Sequence, residues 1–155
     1  MLGAGLAASH LNQSSEALGF YFFMLLFMGS MVGLAMAQDL ILIFVFWDLT
    51  AIASYFLIGF DTEDQRARDA AMMALLVTVI SAIGVLLGSI ILWSEYGTFS
   101  LPELIEQARP SATVSWAVSL ILAGALAKSA QFPMHFWLPR AMTAPTPVSA
   151  YLHSA

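Results

Sequence analysis

The feature that most constrains the fold is an apolar stretch without a charged residue at 17–37. A helix needs about 20 such residues to cross the roughly 30 Å hydrocarbon core of a bilayer. A second apolar stretch, 40–60, follows at once and contains a single charge, Asp48. Charged residues make up only 10% of the chain, compared with about a quarter of a soluble domain. The chain is therefore predicted to be an integral membrane protein.

Two more membrane spans are predicted at 70–93 and 111–131, within a single transmembrane domain that covers 1–155. The third span contains small residues that allow helices to approach closely, namely Ser81, Gly84 and Gly88. The segment between the two spans is too polar to cross a bilayer. Its Leu101-Pro102-Glu103 predicts a short surface helix, because proline and acidic residues favour the first turn of a helix.

Phe132-Pro133 is expected to break the fourth helix, because proline lacks a backbone donor and disfavours helix in the residue before it. A helical continuation is predicted at 134–142, and the next span is predicted to start at 147–155. These patterns predict an all-α, polytopic transmembrane helix bundle with about four full spans and the start of a fifth. A chain that ends where a membrane span starts is expected to be a fragment of a longer protein.

Charge and cysteine content exclude several classes of partner. The formal net charge is −5 and the few basic residues are scattered, so no nucleic acid partner is expected. The absence of cysteine rules out disulfides, thiolate zinc sites and cysteine-bound iron–sulfur clusters in this chain, and no cofactor is expected. Arg66 and Arg68 lie in the short loop 61–69, which the positive-inside rule predicts to be cytoplasmic.

Asp48 and Lys128 are the two charges predicted to lie within membrane spans. An aspartate or lysine at mid-bilayer costs about 2.5–3.5 kcal/mol on insertion scales, so such residues mostly face a bundle interior and serve a function. The protonation of a lysine amine depends on desolvation and on a nearby acid, which makes Lys128 a candidate proton-loading site. Two alternatives remain open: Lys128 could snorkel towards the interface, and Asp48 could form a structural ion pair or cap a distorted helix.

His153 lies at the opening of the last predicted span, after a proline-rich turn. Imidazole passes protons near neutral pH, because its unperturbed pKa is about 6.5. His153 is therefore a candidate for proton relay, with a hydrogen-bonded core histidine as the alternative.

Two long stretches resemble one family of membrane proteins. GALAKSAQFPMHFWLPRAMTAPTPVSAYLHSA, at 124–155, and the segment at 25–61 are similar to the antiporter-like membrane subunits shared by Mrp-type sodium/proton antiporters and respiratory complex I. The sequences FPMHFWLPRAM and APTPVSAYLHSA resemble the large first subunit of Mrp antiporters more than they resemble the complex I subunits. The resemblance implies a fold of about fourteen helices with two inverted repeats and discontinuous helices, of which this chain would supply the fourth to seventh and the start of the eighth.

The resemblance also assigns roles to residues. It implies that Lys128 is the lysine of the broken seventh helix and His153 the histidine of the eighth. Asp48 stands where the family usually has a glutamate that pairs with a lysine, and its carboxylate could bind Na⁺ transiently; whether it reaches Lys128 directly or through water stays open. His135, Ser129 and Thr50 are candidate accessory residues.

The function that the resemblance implies is proton translocation in a multisubunit Na⁺(cation)/H⁺ antiporter of the plasma membrane. Such a subunit would be a secondary transporter and not an enzyme, and its partners would be other membrane subunits, H⁺, Na⁺ and the lipid bilayer. The alternative is a proton-pumping subunit of an NADH–quinone oxidoreductase or a membrane-bound hydrogenase. A third possibility is a scaffold whose internal charges only fix how the helices pack.

Overall fold

The computed structural model describes the backbone of residues 2–142 and 148–149, and within them the side chains from Glu16 onward. The described residues confirm the all-α prediction. The helices are α1 (Leu2–Met36), α2 (Leu40–Ile58), α3 (Gln65–Tyr96), α4 (Leu101–Gln107), α5 (Ala112–Lys128) and α6 (Trp137–Ala141), and a 3₁₀ turn at Met134–Phe136 precedes α6.

Three segments of these helices are long and apolar enough to cross a membrane: Glu16–Met36, Leu40–Ile58 and Gln65–Tyr96. Helix α5, with 17 residues, is shorter, about 26 Å at 1.5 Å per residue. The helices do not share the bounds of the predicted spans. Helix α3 begins five residues before 70, because the Asp64 side chain accepts a hydrogen bond from the backbone N–H of Arg66 (2.8 Å) and caps the helix.

Helix α3 lies at the centre of the described bundle and packs against both α2 and α5. Its approach to α5 depends on glycine. A Cβ atom added to Gly88 would lie 2.6 Å from the carbonyl oxygen of Ala117, and one added to Gly124 would lie 2.5 Å from the carbonyl oxygen of Ser81. The two backbones are therefore in direct contact, as small residues at membrane helix interfaces permit.

Aromatic side chains take part in the packing of α1 on α2 and on the residues just beyond the end of α2. The rings of Phe23 and Phe56 stack with centroids 4.3 Å apart, and Phe20 meets Phe60 edge to face at 5.0 Å. The other end of α2 is tied to the chain after α3, because Leu40 N–H donates to the Phe99 carbonyl oxygen at 3.0 Å. These contacts place α2 between α1 and α3.

The predicted break near Phe132-Pro133 is confirmed, and α5 already ends at Lys128. Two backbone hydrogen bonds close its last turn: Ala130 N–H donates to Ala127 O (3.2 Å) and Gln131 N–H donates to Leu126 O (2.9 Å). With Ala130 in the left-handed region at φ 51°, this is a Schellman motif. The chain therefore leaves the helix directly after Lys128.

Candidate functional site

Lys128 reaches from the end of α5 to the middle of α2. Its Nζ donates to the carbonyl oxygen of Trp47 at 2.8 Å and to Thr50 Oγ1 at 2.5 Å. We call these two oxygens the acceptor pair. Thr50 is buried, with 1% of its surface exposed, so the ammonium is held inside the bundle and does not extend towards the helix end as in the snorkelling alternative. Lys128 also lies in the last turn of α5, where the helix dipole favours a cation.

Trp47 contributes more than its carbonyl group. Lys128 Nζ lies 4.8 Å from the centroid of the indole ring, within range of a cation–π interaction. The indole Nε1 donates to Ser81 Oγ on α3 at 3.0 Å, and that hydroxyl donates to the Thr78 carbonyl oxygen at 2.6 Å. Helix α3 therefore fixes the ring that covers the ammonium.

Asp48 lies on α2 beside the acceptor pair, but in the described residues no ion pair within 4.0 Å joins it to Lys128. Its Oδ1 atom is shielded and has no hydrogen-bond partner in the described residues. The Asp48 carboxylate and the Lys128 ammonium interact electrostatically without direct contact. The lysine ammonium is thus held by uncharged oxygens, and the carboxylate keeps an acceptor available.

A cavity of about 40 Å³ lies beside Lys128 and is lined by Phe27, Met31, Thr50, Ser54, Thr78, Lys128 and Trp137. An ordered water needs at least about 10–15 Å³ of such space and two or more polar partners. The cavity is large enough for a water molecule, and three residues with hydroxyl groups, Thr50, Ser54 and Thr78, are among those that line it. Water in the cavity can therefore contact Lys128 directly.

The other predicted residues do not join this cluster. Ser129 is exposed, and its hydroxyl donates to the Ala125 carbonyl oxygen at 2.7 Å. His135 is exposed and stacks on Phe132, with ring centroids 6.0 Å apart. His153 lies outside the described residues. No group of three or more His, Asp or Glu that could hold a metal ion occurs in the described part of the chain.

Two contributors to the site were missed by sequence reasoning. The Trp47 carbonyl oxygen carries no signal in the sequence, because every residue has such a group and only its accessibility makes it an acceptor. Ser81 was predicted only as a small residue at a helix interface, whereas its hydroxyl holds the indole of Trp47. Hydroxyl side chains at helix interfaces in membranes do form bonds between helices, which is the one general signal available.

Comparison with known sequences places the chain in a family. The family described as "NADH:quinone oxidoreductase/Mrp antiporter, TM" matches residues 37–155. Na(+)/H(+) antiporter subunit A1 of Staphylococcus saprophyticus is 45% identical over 150 residues, which are 95% of this chain and 19% of that protein. A component of a probable K(+)/H(+) antiporter of Rhizobium meliloti is 47% identical over 139 residues, 88% of this chain and 14% of that protein.

Solved structures give the same result. The Mrp complex from a Dietzia species matches with a TM-score of 0.79 and 40% identity over 88% of this chain and 15% of that one. The membrane-bound sulfane sulfur reductase, an archaeal respiratory membrane complex, matches with a TM-score of 0.78 and 26% identity. The match covers 82% of this chain and 26% of that one. The chain thus spans less than a fifth of the two curated relatives. The chain is a membrane protein that belongs to the NADH:quinone oxidoreductase/Mrp antiporter transmembrane family.

Proposed function

We propose that this chain forms a proton-translocating segment of a multisubunit Na⁺(cation)/H⁺ antiporter in the plasma membrane, with Lys128 as the residue that takes up and releases the proton. The single observation that carries the proposal is the placement of the Lys128 ammonium inside the bundle, on two uncharged oxygens, with a cavity beside the residue. A charge inside a membrane bundle is costly and mostly serves a function.

Asp48 is proposed to modulate Lys128 electrostatically. A charge close to an amine changes how readily that amine is protonated. Because Asp48 has a shielded oxygen with no partner in the described residues, a cation that arrives there would alter the field at Lys128. His153 is proposed to accept the proton next, and Ser129 and His135, both exposed at the helix break, are proposed as accessory residues.

The choice of an antiporter over a respiratory pump rests on similarity. Relatives named as Na(+)/H(+) antiporter subunits are 43–45% identical to this chain, whereas the archaeal respiratory complex is 26% identical. The second candidate, a proton-pumping subunit of a complex I-like oxidoreductase or hydrogenase, is retained because the family includes NADH:quinone oxidoreductases. Both functions would use the same buried lysine.

The test uses the assembled membrane complex that contains this chain, in inverted vesicles with a fluorescent reporter of internal pH. Lys128→Ala is expected to abolish Na⁺-dependent proton efflux. Arg109→Ala is the matched control, since it removes one positive charge from an exposed residue outside the long apolar helices and should transport at the wild-type rate.

Two results would count against the proposal. Wild-type proton movement in the Lys128→Ala complex would favour the scaffold alternative. Proton movement in the wild-type complex that is driven by NADH and quinone, and is indifferent to a sodium gradient, would replace the antiporter with the respiratory pump. Equal amounts of assembled complex in each membrane, measured by quantitative immunoblot, make the rates comparable.

A further inference from the structure

The Thr50 hydroxyl sits between the charged amine and the helix backbone. Thr50 Oγ1 donates its own proton to the Trp47 carbonyl oxygen at 2.7 Å, and it accepts a hydrogen bond from Lys128 Nζ at 2.5 Å. A hydroxyl has one proton and two acceptor lone pairs, so both bonds are made at once. The acceptor pair and the ammonium therefore form a closed triangle of three hydrogen bonds.

The two members of the acceptor pair differ in what they can do when the amine loses its proton. A carbonyl oxygen only accepts, so the Trp47 carbonyl group can bind Lys128 only through an N–H of the amine. A hydroxyl can turn its proton from the Trp47 carbonyl oxygen to the lone pair of a neutral amine. Thr50 alone among the Lys128 partners can thus bind the amine as a donor or as an acceptor.

We infer that Thr50 is a positioning residue for Lys128. Its hydroxyl holds the amine at one place, away from Asp48 and next to the cavity, in both the charged and the neutral form of the amine. This inference rests on the proposed role of Lys128. The proton itself passes between the amine and water in the cavity, with no covalent step. Removal of the hydroxyl would leave the neutral amine with only its N–H donation to the Trp47 carbonyl oxygen and with no donor for its lone pair.

Thr50→Val, which keeps the shape of the side chain and removes the hydroxyl, tests the inference in the assembled complex. A hydrogen bond to a charged group changes an equilibrium by about tenfold or more, so the maximal rate of antiport is expected to fall at least about tenfold. The sodium concentration that gives half the maximal rate should stay the same. Thr50→Ser, which restores the hydroxyl, should recover most of the rate.

Ser89→Ala is the matched control. Ser89 is fully buried on α3, and its hydroxyl donates only within its own helix, to the Val85 carbonyl oxygen at 2.7 Å. The loss of a buried helical hydroxyl as such should therefore leave the antiport rate unchanged in this variant. All rates are expressed per assembled complex, and Thr50→Ala provides a second removal of the hydroxyl.

Each remaining outcome overturns the inference. A wild-type rate in Thr50→Val refutes it, as does a Thr50→Ser complex that is as slow as Thr50→Val. Loss of assembled complex in both Thr50→Val and Thr50→Ala, with Ser89→Ala intact, assigns Thr50 a structural role instead. The Lys128→Ala complex separates the two levels: if it is inactive while Thr50→Val is normal, the positioning role fails and the proposed function stands.

Discussion

The contact between α3 and α5 yields the most specific prediction, for Gly124→Ala. A methyl group at this position would lie 2.5 Å from the Ser81 carbonyl oxygen, whereas an ordinary carbon–oxygen contact is about 3.3 Å or longer. Because the obstructing atom belongs to a helix backbone, it cannot rotate away. Helix α5 must therefore move away from α3 by up to about 0.8 Å to restore the ordinary contact.

That displacement acts on Lys128, which lies one helical turn beyond Gly124 on the same face of α5. If the whole movement lay along its hydrogen bonds, the Nζ distance to the Trp47 carbonyl oxygen would grow from 2.8 Å to about 3.6 Å, which is too long for a hydrogen bond. Gly124→Ala is therefore expected to lower the rate of antiport as well as the stability of the complex.

Gly29→Ala is the control for helix propensity. Both substitutions gain the roughly 0.5–1 kcal/mol by which alanine exceeds glycine in a helix, but an added Cβ at Gly29 meets no described atom within 4 Å. The overpacked Gly124→Ala is thus expected to be less stable than Gly29→Ala by about 1–3 kcal/mol. Thermal inactivation of the purified complex in detergent, followed by antiport after reconstitution, measures both effects.

Gly88→Ala separates helix packing from function. It would place a methyl group 2.6 Å from the Ala117 carbonyl oxygen, which is about 16 Å along α5 from Lys128. A similar loss of stability with a smaller loss of transport rate is expected. A Gly124→Ala complex that matched the wild type in both inactivation temperature and antiport would refute the reasoning from the α3–α5 contact.

Two further substitutions test one side-chain hydrogen bond and one backbone conformation. Ser81→Ala removes the acceptor of the Trp47 indole N–H; an unsatisfied buried donor costs about 1–3 kcal/mol, so we expect a lower inactivation temperature and a several-fold slower antiport, and wild-type values for both would contradict the anchoring role. Ala130→Gly relieves the left-handed backbone at φ 51°, which costs an L-residue about 1–2 kcal/mol, so it should raise the inactivation temperature; a decrease would contradict the Schellman assignment.

The helices and the break were predictable because hydrophobicity and proline act locally. Asp48 and Lys128 were identifiable for the same reason, since a charge in an apolar span is visible in the sequence. Helix ends were less predictable. The usual signal for a Schellman motif is glycine, and here alanine occupies the position at Ala130, so nothing in the sequence indicated that α5 ends at Lys128.

The partners of Lys128 were not predictable from residue types. Family resemblance pointed to an acid on α2, but the ammonium lies on a carbonyl oxygen and a hydroxyl group of that helix. Which atom a flexible lysine reaches depends on the separation and rotation of α2 and α5, and these are set by packing across α3. A sequence lists the groups that can accept a hydrogen bond, whereas packing decides which of them lies within hydrogen-bonding distance.

Ser81 shows how that packing is controlled. Its carbonyl oxygen is the atom that lies against Gly124 and so limits the approach of α5, while its hydroxyl binds the indole of Trp47 on α2. One residue of α3 therefore contacts both helices that carry the site. The packing of α3 against both helices therefore helps to set the distance from Lys128 to the acceptor pair. In the proposed mechanism, Asp48 changes its charge state or binds a cation while Lys128 stays on the acceptor pair, so that the carboxylate controls protonation of the lysine electrostatically.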